Sequence, residues 1–462
     1  MVFVRIADFR GTRDTDLFHR RTGSRRASES IEATESENRK PQPAKKPRPP
    51  RYYRRARSLP RPLQHPAFFR LWSVSLLSYM GRFTDYTIVA WLVGQHWDSP
   101  LAIGLLVFIR LSPFLIAGPL SGLIADRYPR IRIVRVAMAG VGSSALIFGL
   151  LLIGDLAPLW VMYVYTFLNG MLFLLEMPAR RTYFTGVVGR RYITTALALD
   201  MIAMNLAWFV GPNIAGVLLD NVESGYVYLG LGVIAFMNVV FLRNLPVLFR
   251  PMINEQAESF FVSFRKGLTF VRRNRVVVGL LLAVGLINLS GFTFESLIAV
   301  IAREQYDAGP LMFGLLISAQ GMGALIFAVV LATVPFRIRR HGVIILSAGM
   351  MLHLFAAGLT WIAWVPAGFA LLVFLGMTSM GFAIMQNSML LLITPDRMRG
   401  RIIGLQFVVM GMFPLGSLGL GVLAEAVGSS EAIRLIAFGG AAALAVLVLA
   451  YPELRRPTEA IE

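Results

Sequence analysis

Along most of the chain, long apolar stretches alternate with short connections that carry the charges. The hydrocarbon core of a bilayer, about 30 Å thick, needs about 20 apolar residues of helix. Five windows of at least nineteen residues contain no charged residue: 136–154, 201–219, 309–336, 365–394 and 402–424. Seven more are apolar but less clean, at 68–97, 101–125, 158–178, 224–242, 276–302, 342–364 and 435–449. The pattern predicts an all-α integral membrane protein with twelve transmembrane helices, and an even number places both termini on one side. A composition of 56% hydrophobic and 15% charged residues fits this reading.

The net charge of +19 would suggest a nucleic-acid partner in a soluble protein. Its distribution points elsewhere. Alternate connections hold Arg127, Arg130, Arg132 and Arg135, then Arg180, Arg181, Arg190 and Arg191, a basic run between Arg243 and Arg275, Arg337, Arg339 and Arg340, and finally Arg397, Arg399 and Arg401. The other set holds Arg303 and Arg434, together with Asp98, Asp155, Asp220, Glu223, Asp307, Glu425 and Glu431. Under the positive-inside rule the basic set faces the cytoplasm, so both termini are expected inside a multi-pass cell-membrane protein in contact with lipid, not nucleic acid. With no cysteine, disulfides and thiolate metal sites are excluded.

Residues 1–61 differ from the rest, with seventeen Lys/Arg, a proline-rich stretch and no hydrophobic segment of the kind a secretory signal carries. They read as a disordered basic arm beside the anionic leaflet, or as an extension with no role of its own. The expected organisation continues with a six-helix half at 66–248, a cytoplasmic linker at 249–274, a second six-helix half at 275–452 and a tail at 453–462. Within the linker, Phe260, Phe261, Phe264, Leu268 and Val271 recur at helical spacing against Arg265, Lys266, Arg272 and Arg273, the pattern of an interfacial amphipathic helix.

The halves repeat one another weakly. Gly81, Asp85 and Ile88 in span 1 match Gly291, Glu295 and Ile298 in span 7; Gly211, Gly216 and Asp220 in span 5 match Gly416, Gly421 and Glu425 in span 11. The offsets, 210 and 205 residues, suit one duplication with a small indel, the sequence mark of transporter folds built from repeats.

After span 2 the chain reads Gly118-Pro-Leu-Ser-Gly122-Leu-Ile-Ala-Asp126-Arg127-Tyr-Pro-Arg130-Ile-Arg132. This resembles the loop signature of the major facilitator superfamily, departing from it at Pro129 and Ile131. Phe69-Arg-Leu-Trp72, Ser99-Pro-Leu-Ala-Ile-Gly-Leu105, Pro178-Ala-Arg180 and Pro395-Asp-Arg-Met-Arg-Gly-Arg401 resemble the drug-efflux and siderophore-exporter branch, covering about 66–452. Gly211-Pro212 with Ala215-Gly216 partly resembles the antiporter signature of proton-linked exporters, although Trp208 stands where that branch often has arginine. The resemblance implies a monomeric secondary transporter that exports a small hydrophobic or amphipathic compound against protons, without a cofactor. Uptake, lipid flipping or a non-transporting receptor on the same fold are the alternatives. It also implies a conformational latch in which Asp126, supported by Gly122, Arg127 and Arg130, bridges the halves to Arg180 or Arg181 and to the start of span 11. Neither a phosphate-cradling loop, a metal-ligand cluster nor a nucleophile with its base is recognisable, so an enzyme is not expected.

Few ionisable residues fall inside the spans, where each is costly unless paired or hydrated: Arg82, Asp85, Arg110 and Glu295, with Glu176 near the end of span 4. Asp85 lies eleven residues before His96 and Arg110 nine after Leu101, which places both about 14 to 16 Å below the same end of their helices. Arg82, three residues from Asp85, shares its face, so one carboxylate with up to two guanidiniums is expected. The cluster reads either as an ion pair fixing span 1 to span 2 or as a charged centre lining the substrate cavity. Glu295 has no basic residue in its span before Arg303, and a poorly solvated carboxylate favours its protonated form. It is therefore the first candidate for proton coupling and Asp85 the second, with a simple cation-binding role open for Glu295. Asn288 and Gln320 are assigned to the cavity because spans 7 and 8 surround it in the resembled fold. Asn169, Asn205, Asn213, Gln386 and Asn387 are expected to act as interhelical glue, and His353 as a lipid-side or packing residue.

Overall fold

A computed structural model describes residues 60–97, 99–189, 192–247, 260–333 and 338–458, without the side chains of 116–127, 260–264, 332, 396 and 397. The basic arm, apart from Pro60 and Arg61, lies outside the described residues.

The first half contains α1 (Pro66–Trp97), α2 (Pro100–Arg127), α3 (Arg130–Ile153), α4 (Leu159–Val188), α5 (Ile193–Asn221) and α6 (Ser224–Phe241). The linker helix α7 (Phe260–Arg273) follows. The second half contains α8 (Arg275–Leu286) and α9 (Ile298–Tyr306), which together make one crossing, then α10 (Pro310–Thr333), α11 (His341–Leu359), α12 (Val365–Leu392), the pair α13 (Asp396–Met410) and α14 (Met412–Val427), and α15 (Ser429–Ala450). Ten of these segments are long and apolar enough to cross a bilayer, and α1 and α2, with 32 and 28 residues, are long enough to join them. Among the described residues the result is twelve crossings, all helical because a lipid-exposed backbone must satisfy its own hydrogen bonds.

Two crossings are not continuous helices, contrary to the simplest reading of their hydropathy. Span 7 passes from α8 through a π turn (Ile287–Gly291) and a 3-10 turn (Thr293–Leu297) before α9. The glycine of that π turn lets the backbone approach α11, since a Cβ on Gly291 would lie 2.9 Å from Leu352 Cδ2. Span 11 breaks at Gly411 between α13 and α14. On the face opposite the arginine-rich one, α9 ends at Asp307 with a φ of 45°, a left-handed conformation that aspartate tolerates better than most residues.

The repeat seen in the sequence is a repeat of packing. Gly211 lets α5 lie against α1, with a virtual Cβ 2.7 Å from Phe83 Cβ, and its counterpart Gly416 lets α14 lie against Leu289 and Thr293 of span 7. Gly216 of α5 meets Leu311 of α10, and its counterpart Gly421 of α14 meets Leu101 and Gly104 of α2. The first pair of contacts is internal to each half; the second joins the halves. On the arginine-rich face, α7 packs Gly267 against Leu405 and Arg401 of α13. Of its apolar stripe, Phe260, Phe261 and Phe264 fall outside the described side chains, and Val271 is buried.

Candidate functional site

The two halves close tightly at the end away from the arginine-rich face. At one seam Gly104 of α2 crosses Gly421 of α14, where a Cβ on Gly104 would stand 2.6 Å from Ser417 O and 3.0 Å from Gly421 Cα. At the other, Gly216 of α5 faces Pro310 and Leu311 of α10, and Gly314 approaches Pro212 O. Glu425 of α14 accepts from Ser99 Oγ at 3.0 Å and Leu101 N at 3.3 Å, so a carboxylate of one half caps a helix of the other. Arg303 donates to Gly94 O across the same end.

Beneath these seams lies a cavity of about 540 Å3 whose lining includes Trp208 from the first half and Asn288, Phe292, Glu295, Phe382 and Gln386 from the second. Glu295 sits in the 3-10 turn of span 7, between the π turn and α9. Its one hydrogen bond among the described residues comes from Gln320 Nε2, at 3.1 Å from Oε1. Among the described residues, Glu295 thus faces an aromatic and amide cavity with a neutral donor beside it and no cation in the lining, the arrangement in which a carboxylate can gain and lose a proton without breaking an ion pair. Tyr86 of α1 lies within electrostatic reach of both Glu295 and Arg110, and Arg110 Cζ is 5.1 Å from the centre of its ring.

The remaining embedded charges form a network inside the first half. Arg110 Nη2 donates to Asp85 Oδ2 at 2.6 Å, while Tyr165 and Tyr228 donate to Asp85 Oδ1 at 2.8 and 3.1 Å. Toward the arginine-rich face, Glu176 accepts from Arg180 at 2.7 Å, and Asp200 accepts from Arg181 at 3.1 Å and from Tyr79 at 3.1 Å. Arg180, Asp200 and Glu176 are almost fully buried, where lone charges would be costly and paired ones are sustained.

Several sequence expectations need revision against this geometry. Arg82 does not join Asp85; its nearest carboxylate is Glu176, 3.8 Å away, and the second and third partners of Asp85 are tyrosine hydroxyls. Arg82 and Arg110 do not line the cavity around Glu295, whereas Asn288 does and Gln320 reaches it through Glu295. Most of the span amides bond their own helix: Asn205 to Met201 O, Asn213 to Phe209 O, Asn288 to Val284 O and Asn387 to Ala383 O. Two of the span amides also reach another helix: Asn169 donates to Ser144 Oγ at 3.4 Å, and Asn387 Oδ1 accepts from Gln406 Nε2 of α13 at 3.1 Å. For His353 the packing alternative holds and the lipid-side one does not: fully buried, it contacts Ser290 Oγ at 2.8 Å and Gly349 O at 2.7 Å and packs against Gly440. Of the expected latch, the side chains of Gly122, Asp126 and Arg127 lie outside the described residues, Arg130 opens α3, and Arg180 and Arg181 pair within the first half. Asp200, Tyr79, Tyr165 and Tyr228 were not singled out by sequence; a polar ring at mid-span was the available signal for the tyrosines.

Residues 58–461 match the model of a family described as transmembrane secretion effector. The chain is 23% identical over 362 residues to the staphyloferrin A transporter of Staphylococcus aureus, covering 77% of this chain and 89% of that protein. It is 26% identical over 406 residues to the enterobactin exporter of Salmonella typhimurium, covering 85% of this chain and 94% of that one. Among solved structures, a nucleoside transporter superposes with a TM-score of 0.67 at 12% identity, covering 84% of this chain and 99% of that one. An inward-facing bacterial homologue of the lysosomal transporter Spinster gives 0.61 at 13%, covering 84% and 96%. Both share the major facilitator fold.

Proposed function

The chain belongs to the transmembrane secretion effector family of major facilitator transporters, and on that premise we propose that it exports a small siderophore-like amphiphile in exchange for protons. It is a multi-pass membrane transporter of small molecules and not an enzyme. The observation that carries the coupling is Glu295: a carboxylate in the cavity between the halves whose partner is an amide.

In this reading the arginine-rich face is cytoplasmic, so the glycine seams close the outer end and the cavity loads from inside. An aromatic and amide lining of Trp208, Phe292, Phe382, Asn288 and Gln386 suits a compound with a flat apolar body and several hydrogen-bonding groups. Such a substrate is in keeping with the names of the relatives that transport staphyloferrin A and enterobactin. Ionised Glu295 binds a proton when the outer seams part, gives it up when the cavity faces the cytoplasm, and its protonation state biases which end is open.

The decisive variant is Glu295→Gln, which mimics the protonated group and keeps a hydrogen bond to Gln320 within reach. In proteoliposomes given a siderophore-like probe on the outside, it should abolish accumulation driven by a pH gradient while binding and downhill exchange persist. Gradient-driven transport at the wild-type rate would remove Glu295 from the coupling role, and its loss in a well-folded Asp85→Asn protein instead would transfer the role to Asp85.

A further inference from the structure

A second crevice, of about 590 Å3, lies inside the first half between α1, α3, α4 and α6 and shares no lining residue with the cavity at Glu295. We propose that it is a binding site for a small inorganic anion, held by the Arg82 guanidinium and the Asn238 amide.

The charge arrangement calls for such a ligand. Each buried acid of the first half takes its tightest partner elsewhere: Asp85 takes Arg110 at 2.6 Å, Glu176 takes Arg180 at 2.7 Å and Asp200 takes Arg181 at 3.1 Å. Arg82 is left over. Its closest carboxylate oxygen is 3.8 Å away, on a Glu176 already engaged, and it makes no hydrogen bond among the described residues. Its side chain is only 15% exposed, and its guanidinium lies 3.8 Å from the centre of the Phe173 ring, which supports a flat cation without neutralising it. A guanidinium held in a membrane interior with five unused donors is costly unless water or a counter-ion meets it.

Asn238 supplies the second observation. It is 5% exposed and lines the same crevice from α6, and no side-chain hydrogen bond to the described residues engages its amide, which therefore opens onto the crevice. Its NH2 group offers a neutral donor beside the cation. Of the carboxylates facing the crevice, Asp85 is covered by Arg110 and two tyrosine hydroxyls, and Glu176 has Arg180 at Oε1 and Arg82 itself at Oε2, so the anion is placed on the donors of Arg82 that face away from Glu176. The remaining walls are apolar, with Leu77, Met138, Val141 and Leu231 among them, which favours a small, weakly hydrated ion over a bulky one.

Thermal unfolding of the purified full-length protein in detergent tests the proposal, with chloride titrated against gluconate at constant ionic strength. The wild type should show a saturable chloride-specific rise in Tm that follows ligand linkage. Arg82→Gln should weaken the apparent chloride affinity by about tenfold or more, the effect of losing one charge-assisted hydrogen bond. Asn238→Ala, which changes no charge, should weaken it in the same direction and guards against a folding artefact at Arg82. Equal stabilisation by gluconate, or wild-type chloride dependence in both variants, would overturn the site. Because neither variant touches the cavity at Glu295, failure here leaves the coupling reading intact.

Discussion

The glycine seam between α2 and α14 allows the closed outer end to be perturbed by one methyl group. In Gly104→Ala the new Cβ would stand 2.6 Å from Ser417 O and 3.0 Å from Gly421 Cα, both backbone atoms that cannot rotate away. A comfortable carbon to carbonyl-oxygen contact is about 3.3 Å, so the seam must open by about 0.7 Å. Overpacking of this kind costs about 1–3 kcal/mol. That cost is felt in the state where the helices touch and relieved where they part. The balance between closed and open outer ends should therefore shift by about 5- to 150-fold toward open. The absence of native cysteine makes the shift measurable. A single cysteine replacing Ala383, in the cavity beneath the seam, is labelled in intact cells by a membrane-impermeant maleimide, with and without Gly104→Ala. The second substitution should raise the labelling rate within the 5- to 150-fold range, while Gly419→Ala, with nothing within 4 Å of its added carbon, should leave it unchanged. Equal rates in well-folded Gly104→Ala and parent proteins would refute the idea that this crossing seals the outer end.

Asp85→Asn removes the charge that Arg110, Tyr165 and Tyr228 surround, so unfolding in denaturing detergent should show a loss of about 3–5 kcal/mol. Most of that should return in Asp85→Asn with Arg110→Gln, because no unpaired cation remains; an undiminished loss in the double variant would argue against the pair as its source. Asp126→Asn should slow transport without lowering the amount of inserted protein, and unchanged kinetics would reduce that aspartate to a topology signal. Cysteines placed at Asp220 and Asp307 should react with impermeant reagents from outside, and protection at either would invert the assumed orientation.

Twelve crossings, a division into halves and the segregation of arginine to one face were legible in the sequence because each depends on local composition. A span must be apolar for about 20 residues and must be helical to satisfy its own backbone, whatever it packs against. The glycine spacings of spans 5 and 11 also carried real information, since both sets mark close helix crossings. The short inventory of embedded charges led to Asp85, Arg110 and Glu295 for the same reason: such residues are rare where lipid is the solvent.

Partners were another matter. Helical periodicity put Arg82 and Asp85 on one face, and both do line one crevice, but each finds its own partner: Arg82 meets Glu176, while Asp85 meets Arg110 and two tyrosines from α4 and α6. Asp200 was hidden because a charge reads as the end of a span when hydropathy alone sets the boundary; only the neighbouring α4 and α1, with Arg181 and Tyr79, make that position habitable inside α5. The break at Ile287–Gly291 leaves no gap in the apolar pattern, whereas the one at Gly411 precedes Pro414, whose ring cannot continue a helix past the carbonyl of Met410. Hydropathy is a property of each segment and can be read residue by residue, whereas charge pairing depends on which faces meet, and that is settled only when the bundle packs.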